Sequence, residues 1–222
     1  QQQVTEAMCL PAAESIDGTL GMGAEEEIIR TASAMSAIAI GPGLSTHAET
    51  VRVVRMLVRD LAVPLVVDAD ALNALAGNVD ALQKARAPRV VTPHPGEMAR
   101  LTGSTADAVQ RDRIGTAQRF AKTSGAVVVL KGAGTVVATP AGEVFINTTG
   151  NPGMATGGTG DVLTGVIGSL LAQGHGPVSA ACLGVFLHGC AGDLAAKDKG
   201  EAGMIAGDVI EKLPEAFKAI VT

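Results

Sequence analysis

Short apolar runs and amphipathic stretches alternate along the first two thirds of the chain. Ala34–Ile40 reads as a buried strand stopped by Gly41-Pro-Gly43. Thr46, with Glu49 three residues on, reads as a capping box. The helix it opens carries Val51, Val54, Leu57, Val58 and Leu61 on one face and Arg52, Arg55 and Arg59 on the other. Leu65–Val67 is a second apolar strand, ended by Asp68-Ala-Asp70 and followed by a short helix to about Leu75. Arg89–Val91 is a third, running into Thr92–Glu97. A helix from Ser104 to about Lys122 is expected to bury Val109, Ile114, Ala117, Phe120 and Ala121. Ala126–Leu130 is the clearest central strand and ends in Lys131–Thr135. Val136–Ala138 and Val144–Ile146 pair antiparallel around Pro140–Gly142. Only helices follow, over Asp161–Gln173, Pro177 to about Lys197, Gly207–Leu213, and Pro214 onward. Gly184, Gly189 and Gly192 would let the second of these pack closely on its neighbours. The first thirty residues are weakly patterned, with turns at Asp17-Gly18 and Gly21–Gly23 and a short helix over Glu25–Arg30.

Strands alternating with helices imply βαβ units and a mostly parallel sheet covered on both faces. Ligands of such sheets bind at the carboxyl ends of the strands. Gly41–Gly43, Asp68–Asp70, His94–Glu97 and Lys131–Thr135 should therefore converge on one crevice, with the Asn147–Asp161 loop able to close over it.

Composition narrows the chemistry. The 222 residues suit one domain spanning 1–222, and a 47% hydrophobic fraction supplies a full core. A net charge of −5 and the absence of Trp and Tyr argue against nucleic-acid binding. Apolar runs fall short of a membrane span, and no basic-then-apolar leader is seen. Cys9, Cys182 and Cys190 lack metal spacing, and the last two read as buried thiols in a reducing cytosol. The chain begins Gln1, not Met, so residues before it are expected.

Neither Gly-x-Gly-x-x-Gly nor Gly-Lys-Ser/Thr occurs, so any nucleotide binds by another geometry. The densest signal is Asn147–Asp161, with five glycines between Gly150 and Gly160 leading into an apolar helix. Such a turn allows close backbone approach to a ligand, and the helix N-terminus favours an anion. Asp161 in that first turn either complements the helix dipole or acts on the same ligand. His94, between two prolines, is an exposed loop residue or a ligand contact. Glu97 either caps the following helix or positions a phosphate-bound Mg2+. Lys131 pairs with a core carboxylate or contacts phosphate. Asp68 and Asp70 read as helix caps sooner than as direct substrate contacts, His188 as a satisfied core histidine, and His47 and His175 as surface residues.

Thr92–Glu97, Lys131–Thr135 and Asn151–Asp161, with Ile40–Gly43 and Val67–Asp70 in the same order, resemble the ADP/ATP-dependent NAD(P)H-hydrate dehydratases of the ribokinase-like superfamily. The resemblance runs from about Glu6 to the C-terminus. It implies a three-layer α/β/α fold that here lacks the family's N-terminal strand and helix. It also implies repair of hydrated NADH or NADPH by ADP or ATP with Mg2+, ADP being the bacterial-type choice. The C6 hydroxyl would be phosphorylated and lost as phosphate, with Asp161 handling its proton and the Gly157–Gly160 amides stabilising charge. Gly43, His94 and Asp161 would contact the hydrate. Lys131, Gly132, Ala133, Gly134, Thr135 and Gly160 would hold the adenine nucleotide between aliphatic groups, with no metal ligand from the protein. A cytoplasmic homo-oligomer is implied, with an epimerase acting beside it as a fused or separate partner. The competing readings are a small-molecule kinase of the same superfamily and a non-catalytic nucleotide-binding module.

Overall fold

In the computed structural model, which describes residues 7–221, Met22–Ala24 forms a 3-10 turn leading into α1 (Glu25–Ala32). The chain continues through β1 (Ile38–Ile40), α2 (Ala48–Asp60), β2 (Leu65–Val67), α3 (Ala69–Leu75), α4 (Asp80–Gln83) and β3 (Arg89–Val91). Then follow α5 (Pro95–Thr102), α6 (Ala106–Arg111), α7 (Arg113–Ser124), β4 (Val127–Leu130), β5 (Val136–Ala138) and β6 (Val144–Ile146). A 3-10 turn at Pro152–Met154 leads to α8 (Thr159–Ala172), α9 (Pro177–Lys199) and α10 (Ala206–Val221). The six strands form one sheet in sequence order. Strands β1 to β4 are mutually parallel, β5 is antiparallel to β4, and β6 is antiparallel to β5.

Alternate strand residues face opposite layers. Leu65, Val67, Val91, Val128 and Leu130 pack with Leu57, Leu72, Met98 and Phe120 on one side. Val66, Val90, Val127 and Val129 pack with Ile167, Leu170, Leu187 and Val209 on the other. The result is the expected three-layer α/β/α arrangement. Register aligns Ile40, Val67, Val91 and Val128 side by side, so the loops after β1 to β4 leave from one edge of the sheet.

Several expectations are corrected. The run Ala34–Ile40 yields a strand only at Ile38–Ile40, and Met35 is exposed. Among the described residues β1 is an edge strand, so only one flank is covered. The capping box at Thr46 does not form. His47 is the N-cap, accepting the Glu49 amide through Nδ1 at 3.4 Å, while the Glu49 carboxylate accepts from the Met22 amide. Val53 of this helix also lies in the core, and Val51 is half-buried. The helix expected from Ser104 breaks at Asp112, whose φ of −140° and ψ of 65° are not helical. The break changes the phase and leaves Ile114 45% exposed. Helix α10 runs unbroken through Pro214, because its apolar face remains docked on α9. Cys182 and Cys190 are only half-buried. Helix α9 is, by length and composition, apolar enough to cross a membrane, contrary to expectation; 56% of its apolar window is buried in the protein.

Arg89, which sequence patterning does not single out, is 3% exposed. Its guanidinium donates to the carbonyls of Val58, Leu61, Val63, Ala87 and Pro88 at 2.6–3.2 Å. Burial pushes its pKa down to about 10. Val58 and Leu61 end α2, where free carbonyls and the negative end of the dipole favour a cation. Arg89→Met leaves those carbonyls buried and unmatched. It should cost about 3 kcal/mol in chemical denaturation.

Candidate active site

The centre of the site is a carboxylate at the end of β2. Asp68 is 1% exposed and heads α3 without capping it through its side chain. Instead Oδ1 accepts from Lys131 Nζ at 2.7 Å, and Oδ2 accepts from Thr164 Oγ1 of α8 at 2.7 Å. Glu97 Oε2 lies 3.8 Å from the same ammonium. The Lys131 amide donates to the Pro93 carbonyl at 2.8 Å, joining the ends of β3 and β4. A lysine thus links two carboxylates from different loops, and its side chain remains 19% exposed.

The glycine-rich loop meets this cluster at the α8 N-terminus. Gly158 has φ of +88° and serves as N-cap without a capping side chain, which leaves first-turn amides available. A Cβ on Gly160 would stand 3.4 Å from Lys131 Nζ and 4.0 Å from Asp68 Oδ2. Asp161, one residue on, is exposed and has no hydrogen bond or ion pair among the described residues. The earlier half of the loop is pinned to α9. Asp193 accepts from the Gly150 amide and Asn151 Nδ2 at 2.9 and 3.0 Å. Asn147 Nδ2 and Thr149 Oγ1 donate to the Val185 and Phe186 carbonyls. The expected close packing of α9 holds. A Cβ at Gly184 would meet Ile167 Cγ1 at 2.6 Å, and those at Gly189 and Gly192 would collide with Thr149 and Met154.

His94 is half-exposed and caps α5. Its Nδ1 accepts the Gly96 and Glu97 amides at 3.0 and 3.3 Å, while Glu97 Oε2 accepts the His94 amide at 2.7 Å. Glu97 is therefore both a cap and a neighbour of Lys131. Gly41 has φ of +139°, and a Cβ there would overlap the Asp68 carbonyl. Gly43, at φ +73°, borders open space. Asp70 accepts from the Ser45 amide at 2.8 Å and holds this first loop against α3. In the Lys131–Thr135 loop, Gly132 and Gly134 have φ of +145° and +63°. Thr135 Oγ1 donates to the Gly132 carbonyl at 3.0 Å, and Arg113 from α7 lies over Gly132.

His188 differs from the expected satisfied core histidine. It is 9% exposed, and its Nε2 is buried without a partner among the described residues. Burial pushes its pKa down to about 4; the Thr159 backbone opposes this and the Lys131 charge adds to it. The unfolded imidazole, near 6.5, binds a proton that the folded one refuses. Stability from this group is complete above pH 6.5 and falls by about 3 kcal/mol as the pH drops to about 4. Denaturation of wild type and His188→Asn across that range should show a shallower acid loss in the variant.

Lys131 lies against Gly160, and His94 is linked to Lys131 through Glu97. Gly43 lies on the same edge without contacting them. Asp68 was legible as a helix cap in a loop of the shared edge but not as the core carboxylate that Lys131 pairs with, and Thr164, Arg113 and Asp193 carried no motif. The placement of Asp68 and Lys131 directly after β2 and β4, two parallel strands of one sheet, is the signal that could have paired them. Among the described residues no group of three His, Cys, Asp or Glu side chains could hold a metal ion.

A six-stranded sheet with its polar loops gathered at one edge defines a ribokinase-like α/β protein. A ribokinase-like superfamily protein of Enterococcus faecalis matches with a TM-score of 0.74 at 30% identity, over 90% of this chain and 69% of that one. The family model described as NAD(P)H-hydrate dehydratase matches residues 1–215, and the chain belongs to that family. A bifunctional NAD(P)H-hydrate repair enzyme of Moorella thermoacetica is 50% identical over 97% of this chain, which spans 41% of that relative's length. The ADP/ATP-dependent NAD(P)H-hydrate dehydratase of Bacillus subtilis, co-crystallised with ATP and Mg2+, has a TM-score of 0.75 at 33% identity, over 86% of this chain and 71% of that one.

Proposed function

We propose that this chain, as a single domain over 1–222, dehydrates the S-form of NAD(P)H hydrate back to NAD(P)H at the expense of ADP or ATP. The observation that carries the reading is Asp161, an exposed carboxylate, unpaired among the described residues, next to a glycine-rich helix N-terminus that abuts Lys131. Gly43, His94 and Asp161 take the hydrate; Lys131, Gly132, Ala133, Gly134, Thr135 and Gly160 take the adenine nucleotide. Mg2+ enters with the nucleotide, bound mainly by phosphate oxygens and water.

Hydroxide is a poor leaving group at neutral pH. Asp161 accepts the proton of the C6 hydroxyl as its oxygen attacks the terminal phosphorus, and the bond to the shortened nucleotide breaks. The α8 amides stabilise the charge on the transferring group. The C6–O bond then breaks with push from the ring nitrogen, phosphate leaves, and loss of a neighbouring ring proton restores the double bond. Hydrate plus ADP gives reduced cofactor, phosphate and AMP; with ATP the nucleotide product is ADP.

A cytoplasmic homo-oligomer working beside an epimerase fits the same reading. The test is recovery of the near-ultraviolet absorbance of reduced nicotinamide when ADP or ATP with Mg2+ is added to the hydrate. Recovery that depends on nucleotide is expected. A stable phosphorylated alcohol with no recovery would identify a small-molecule kinase instead.

A further inference from the structure

We infer that Arg113 is a positioning residue for the adenine nucleotide, acting through the Lys131–Thr135 loop; this rests on the nucleotide reading of that loop. Arg113 opens α7, and its guanidinium spans the loop. Nη2 donates to the Leu130 carbonyl at 3.0 Å and Nη1 to the Ala133 carbonyl. The guanidinium lies against the Gly132 backbone, where a Cβ would come within 2.9 Å of Nη2 and 3.1 Å of Cζ. Gly132 has φ of +145°, a conformation that favours glycine there, and a Cβ would displace the guanidinium.

No carboxylate among the described residues pairs with this cation. Its Nε is buried without a partner, and burial lowers its pKa. Such a group is retained at a cost in desolvation, and its two hydrogen bonds go to backbone at either side of the loop.

A carbonyl and the next residue's N–H point in opposite directions across a trans peptide. With the Leu130 carbonyl turned to Arg113, the Lys131 N–H points away and meets the Pro93 carbonyl at 2.8 Å. With the Ala133 carbonyl turned to Arg113, the Gly134 N–H also points away, and it has no acceptor among the described residues. Arg113 thereby fixes the Ala133–Gly134 peptide so that one backbone donor is offered to a nucleotide acceptor. A lysine cannot reproduce the fork that reaches both carbonyls.

Arg113→Lys and Arg113→Met should each raise the KM for ADP or ATP about tenfold, the loss expected for one misaligned hydrogen bond. The KM for hydrate and kcat at saturating nucleotide should change less than about twofold. Unchanged nucleotide KM in a folded variant, or an equal fall in kcat, would overturn the inference. A second measurement needs no variant. In the wild-type protein, ADP should slow hydrogen exchange of the Gly134 amide more than that of the Lys131 amide, which is already bonded. If ADP binds and leaves Gly134 exchange unchanged, the positioning role fails while the nucleotide reading stands. If neither ADP nor ATP binds the wild-type protein, both fail.

Discussion

Asp161→Asn should lose turnover by at least about 10³-fold while melting within a degree or two of wild type. The amide keeps the size of the carboxylate but cannot accept a proton. The fold does not depend on it, since Asp161 is exposed and unpaired among the described residues. Its remaining structural contribution is to the α8 dipole, about 0.3–1 kcal/mol. Measuring kcat and the melting temperature on the same preparation separates the two roles. A large fall in melting temperature with activity preserved in the folded fraction would make Asp161 structural.

Lys131→Met should produce the largest stability loss in the site. Asp68 is 1% exposed, and among the described residues its side chain is met at hydrogen-bond distance by the Lys131 ammonium, which balances its charge, and the Thr164 hydroxyl. Removing the ammonium leaves a buried carboxylate unbalanced, a change that costs about 3–5 kcal/mol. The cost arises from the stranded charge, so Lys131→Met with Asp68→Asn should recover more than half of it. Denaturation of both singles and the double closes the cycle. If the double variant is no more stable than Lys131→Met, charge imbalance is not the cause. Nucleotide binding should fall in both lysine variants, which distinguishes a site residue from a purely structural ion pair.

The central strands and the edge their loops share were legible because local chemistry decided them. Leu65–Val67, Arg89–Val91 and Val127–Leu130 are buried throughout, and continuous apolar runs between turn residues mark such strands. Gly184, Gly189 and Gly192 were readable as contact points because nothing else explains three glycines on an apolar helix. The misreadings share another cause, which is that distant partners outweigh short-range signals. Glu49 serves Met22 rather than Thr46, so the capping pattern fails although its spacing is correct. Pro214 does not end α10, because packing on α9 carries the helix past it. Asp112 interrupts a run whose apolar period looked continuous. Asp68 looked like a cap because its real partners, Lys131 and Thr164, are far away in sequence and meet it only once the sheet has formed.

The central claim is that the hydrate's own hydroxyl oxygen is phosphorylated before it leaves. Hydrate prepared with a heavy oxygen isotope at C6, turned over with unlabelled ADP or ATP in unlabelled water, tests this directly by mass analysis of the products. One labelled oxygen in each released phosphate is expected. Label appearing in water, with unlabelled phosphate, would contradict the account.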